Sequence, residues 1–125
     1  MSADELVHYA AFMTPPRSIF GTGILFEAAV MCTPHEPRHP YFELALMKID
    51  YRSPERMEFE VGRVEFDDPQ YSSGGGYYLS GCYVRRAGRE TGSDRYYVVL
   101  RMYQIYDEGV ASAIADTKPP VLISW

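Results

Sequence analysis

An all-β domain is the fold class this sequence predicts, and three observations predict it. Apolar residues recur with a period of two in segments of about ten residues. Pro, Gly, Ser and Asp cluster between those segments. The connections between the first and fifth segments carry no helical period and are too short for parallel crossovers. Neighbouring strands are therefore expected to pair antiparallel, as a meander closing into a small barrel or a strongly curved sheet, with short helical segments near the termini. The chain of 125 residues reads as a single domain, 1–125, long enough to bury a full core without a metal or disulfide.

The strands are expected at 23–33, 41–51, 56–66, 77–86 and 95–106, with a short one at 121–125. The first alternates Ile24, Phe26, Ala28, Val30 and Cys32 against Leu25, Glu27, Ala29 and Met31. The third is irregular: Met57, Phe59 and Val61 share a parity that jumps to Val64 and Phe66, so an extra residue is expected at Gly62-Arg63. Gly81 offers a second place to bend. Ser2 and Glu5 fit a capping box, with Leu6, Tyr9, Ala10 and Met13 on one helical face ahead of Pro15-Pro16, a strand over the same stretch being the alternative. Val110–Ala115 reads as a second short helix, stopped before Pro119. Ser72–Gly76 is a loop tip, because strand patterning resumes on both sides.

The acidic start, Met1–Glu5, lacks the basic residues and apolar run of a secretory signal. No apolar stretch approaches the ~18–20 residues of a membrane span. Cys32 and Cys82 have neither disulfide-framework nor metal spacing and read as buried free thiols. Together these point to a cytoplasmic or otherwise intracellular protein with no membrane partner. His35 and His39 stand four apart, but Pro34, Pro37 and Pro40 forbid the helix that would align them on a metal. The Gly21-Thr22-Gly23 and Gly74–Gly76 stretches lack the lysine and helix of a phosphate loop, and no Gly-x-Ser-x-Gly occurs. No metal or cofactor is expected, and no catalytic residue is assigned.

Apolar residues on both faces of several strands imply that both faces are covered. The second face then holds Glu27, Glu43 and Arg101 among Tyr41, Tyr97 and Tyr103. Charges on such a surface need partners. A structural Glu–Arg pair accounts for them simply; a pocket with a carboxylate acid or base and an arginine anchor is the functional alternative.

The charge layout says most about partners. The net charge is −5, and every basic residue except Lys48 and Lys118 is arginine. Alternate loops of a meander fall at opposite ends. One end collects Glu36, Glu65, Asp67, Asp68, Asp107, Glu108 and Asp116 against Arg38 and Lys118; the other collects Arg17, Arg52, Arg56, Arg85, Arg86, Arg89 and Arg95 against Glu55, Glu90 and Asp94. Arginine is the better fork for phosphate or carboxylate, and Tyr and Arg are enriched at binding hot spots.

The leading expectation is a non-catalytic binding module. Its Arg-rich loop end and tyrosine-bearing strand faces would engage an anionic ligand or a protein partner. A small β-barrel enzyme, an isomerase, cyclase or lyase with Glu27, Glu43 and Arg101 in a pocket, is the first alternative, so enzyme status stays open. A single-stranded nucleic-acid-binding barrel ranks below it, because the net charge is unfavourable and 67–76 cannot supply the helix such barrels carry. Association between copies is compatible with all three.

Overall fold

The computed structural model describes residues 8–19, 23–34, 36–37, 40–50, 54–84, 93–103 and 111–124. Every regular element among them is a strand: β1 (His8–Met13), β2 (Arg17–Ile19), β3 (Gly23–Thr33), β4 (Tyr41–Ile49), β5 (Glu58–Asp67), β6 (Gly76–Val84), β7 (Ser93–Tyr103), β8 (Ala111–Asp116) and β9 (Val121–Ser124). All pair antiparallel, in two sheets. Sheet A has β3 at its centre, β6 on one edge, and β1 and β2 end to end on the other. Sheet B runs β5-β4-β7, with β8 and β9 end to end beside β7.

Both split edges have the same cause. Pro15-Pro16 separates β1 from β2, and Pro119-Pro120 separates β8 from β9. Proline donates no ladder hydrogen bond, so a pair of them ends a strand on the spot. Thr117 holds the second break in line: its amide donates to the Val98 carbonyl and its hydroxyl accepts from the Val98 amide.

The inward faces share one core. Ile24, Phe26, Ala28, Val30 and Cys32 of β3 meet Phe42, Leu44 and Leu46 of β4, Leu79 of β6, and Val98 and Leu100 of β7. The period of two thus puts one side of each central strand into a two-sheet interior. At one corner β6 crowds β5: a Cβ on Gly81 would come within 2.7 Å of both the Phe26 ring and Val64 Cγ2. Only a residue without a side chain allows that approach.

Several expectations are corrected here. The pairing is not a meander: β3 pairs with β6 and β4 with β7, and the chain crosses between sheets at 34–40, 68–75 and 85–92. No sheet closes into a barrel. The N-terminal helix is replaced by strand β1, its first part, 1–7, lying outside the described residues. The helix expected at 110–115 is strand β8. Both segments lie along edges of central strands whose N–H and C=O groups need partners, which a helix could not supply. The irregularity of the third long strand is present. Leu46 faces Gly62 and Met47 faces Glu60, so Val61 is the extra residue, one position before Gly62-Arg63.

Candidate functional site

Two outward faces carry the residues of interest, one on each sheet. On sheet B, Glu43 stands opposite Arg101 on β7 and Glu65 on β5. Arg101 Nη1 donates to Glu43 Oε1 at 2.6 Å and to Glu60 Oε1 at 2.9 Å. Arg63 approaches Glu43 Oε2 at 3.7 Å, Glu65 at 3.8 Å and Glu60 at 4.0 Å. These side chains close over Glu43 until it is 1% exposed, and its Oε2 accepts no hydrogen bond. The hydrogen bonds that Arg101 donates to Glu60 and Glu43 hold its guanidinium above its ordinary pKa. Both charges are thereby consumed within the chain, which staples β5, β4 and β7 together.

Tyr97, on the same face, is covered rather than presented. It is buried, with Lys118 Nζ 4.8 Å from its ring centroid. Its hydroxyl pKa is pushed up to about 12, first by burial and then by the Glu58 carboxylate. The backbone of Tyr103 pairs with Tyr41, and its side chain lies outside the described residues.

Glu27 does not join this group. It lies on the outer face of sheet A, so Glu27, Glu43 and Arg101 do not share a pocket. Across that face Phe12 of β1, Ala29 of β3 and Tyr78 of β6 form one cross-strand row. Adjacent strands lie about 4.8 Å apart, so the two aromatic residues are rooted about 10 Å from each other with only a methyl group between them. The result is a groove of about 270 Å³ lined by Phe12, Met13, Thr14, Glu27, Ala28, Ala29 and Tyr78. Phe12 is 63% exposed and Tyr78 67%. Glu27 stands two residues before Ala29 on the same face of β3 and closes one end. Its Oε2 accepts a hydrogen bond from the Tyr78 hydroxyl, while among the described residues Oε1 has only the Thr14 hydroxyl at 3.4 Å and Arg17 Nη2 at 3.7 Å. The bond to Glu27 raises the Tyr78 pKa.

Of the expected arginine end, Arg56 and Arg95 are exposed and sit where β4 ends. Ile49 pairs with Arg95, and the Asp50 amide donates to Met57, beside Arg56. Arg52, Arg85, Arg86 and Arg89 lie outside the described residues, as do His35 and His39. Cys32 is buried, its thiol pushed up to about 11 chiefly by burial, but Cys82 is exposed, contrary to expectation. Among the described residues no group of three or more His, Cys, Asp or Glu is placed to hold a metal ion, and no helix is long and apolar enough to cross a membrane.

Sequence reasoning missed the Phe12–Ala29–Tyr78 row. Phe12 fell within the expected N-terminal helix, and the row requires the pairing of β1 and β6 with β3, which no local pattern signals. No protein-family model matches the chain, and no match is found among curated proteins or solved structures.

Proposed function

We propose that this chain is a non-catalytic binding module that docks a protein partner on the outer face of sheet A. The observation that carries this reading is the pair of exposed aromatics, Phe12 and Tyr78, standing on either side of Ala29. Large rings left in water on a sheet face are what binding surfaces use, because they contribute large area at little conformational cost. The rigid sheet beneath keeps that cost low. A second, charge-dependent contact comes from the arginines Arg52, Arg56, Arg85, Arg86, Arg89 and Arg95. It attracts an acidic region of the same partner.

Site-specific photo-crosslinking tests this. A photoreactive residue at position 12 or 78, in the cells that make the protein, should yield one discrete crosslinked product. The same residue at position 63, on sheet B, should not. With the photoreactive residue moved to the exposed position 80 on the same face, Phe12→Ser with Tyr78→Ser should abolish the product without lowering the melting temperature. Equal products from all three positions, or none from 12 and 78, would remove the reading.

A further inference from the structure

We infer that the partner's anchor in the sheet A groove is a lysine side chain. This inference rests on the docking reading above and adds to it the chemistry of the occupant. The groove has aromatic walls, a floor at Ala29 and a carboxylate at one end. An aliphatic stem with a terminal cation matches that sequence of surfaces. The stem lies over Ala29 between the rings of Phe12 and Tyr78, and the charge ends at Glu27. Rings and carboxylate both favour a cation there, the first through their negative faces and the second through its formal charge.

The state of Glu27 selects ammonium over guanidinium. Oε2 is occupied by the Tyr78 hydroxyl, whereas among the described residues Oε1 holds only long contacts to Thr14 and Arg17. A guanidinium binds a carboxylate best through both oxygens and would have to displace Tyr78. An ammonium is a compact point charge and needs one. The Arg17 contact is an easily displaced stand-in. Its side chain is 66% exposed, and such surface pairs contribute little.

Both lysines of this sequence are engaged elsewhere. This chain has only Lys48 and Lys118. Lys48 is paired with Asp94 at 3.2 Å, and Lys118 lies over Tyr97. The net charge of −5 also favours a basic segment over a second copy.

Amide NMR titration of the whole chain with three small probes tests the inference. The probes are the N-acetyl amides of lysine, of norleucine (the same stem without the charge) and of arginine. The lysine probe should shift Phe12, Thr14, Glu27, Ala29 and Tyr78, and the other two should bind more weakly. Glu27→Gln should weaken the lysine probe by about tenfold or more, and Arg17→Ser should strengthen it. Both variants lie on the outer face and should melt with the parent, and Thr14→Val gives a third probe of Oε1. Norleucine or arginine binding as well as lysine overturns the lysine assignment, as does an absence of shifts or shifts confined to Glu60–Glu65. In each of those cases the crosslinking result stands separately and decides whether the face docks a partner at all.

Discussion

Glu43 is the residue whose environment departs most from what its position on an outer face suggests. A carboxylate 1% exposed survives there because Arg101 and Arg63 bring positive charge to it across two strand pairs. Removing one partner of such a pair leaves a buried charge uncompensated, a change that typically costs about 3–5 kcal/mol. Arg101→Met should therefore lower the unfolding free energy by about 3 kcal/mol in urea titrations, with Arg63 limiting the loss. Glu43→Leu added to Arg101→Met should recover most of it. Tyr97 and Cys32 contribute to the alkaline pH dependence, alongside Tyr9 and Tyr77, which burial also raises. Burial raises Tyr97 to about 12 and Cys32 to about 11, from ordinary values of 10.0 and 9.0. Each binds its proton more tightly in the folded state, so its contribution is complete below the unfolded value and is lost as pH rises to the folded one. Stability should thus fall from pH 9 to 11 through Cys32 and from 10 to 12 through Tyr97. Chemical denaturation across that range checks it, and Cys32→Ala should delay the onset.

At the scale of the element, strand β3 was legible to the residue, because the contrast between Ile24–Cys32 inside and Leu25–Met31 outside runs its whole length. The bulge was legible to within one position for a similar reason: a slip in parity must be absorbed somewhere, and Val61 absorbs it. Pairing was not legible. The stretch 34–40 is as suited to crossing between sheets as to joining neighbours, and alternation is identical in the two cases. Of the short edge strands, the one expected at 121–125 is present as β9, whereas β8 was lost because Ala111–Asp116 offers small residues with no decisive period. The candidate site divided along the same line. Glu43 and Arg101 face each other because their strands pair, whereas Glu27 was assigned to their face on parity alone. Gly81 carries the sharpest prediction for an element. A methyl group there meets Phe26 and Val64 at 2.7 Å, so Gly81→Ala should lower stability by about 1–3 kcal/mol, and Val64→Ala in the same chain should relieve part of the strain. Thermal melts of the two variants decide it.

For the whole molecule, the two sheets present unlike exteriors: sheet B a lattice of glutamates and arginines, sheet A an aromatic groove. The proposed contact through Arg52, Arg56, Arg85, Arg86, Arg89 and Arg95 belongs to this scale, because those residues are far apart in sequence. Arg85→Ser, Arg86→Ser and Arg89→Ser together should weaken capture of the crosslinked partner more than three neutralisations at Asp67, Asp68 and Asp116. The difference should vanish at high salt, since exposed charges are screened over about 8–10 Å near physiological ionic strength. Association rates at two salt concentrations measure it. The proline pairs have a consequence for how copies of this protein meet. Pro15-Pro16 and Pro119-Pro120 interrupt one border of each sheet, the β1/β2 side of sheet A and the β8/β9 side of sheet B, so neither offers an uninterrupted run of amides long enough to template another strand. Strand-by-strand growth is hindered at those two borders and is left to the continuous strands β5 and β6 on the opposite ones.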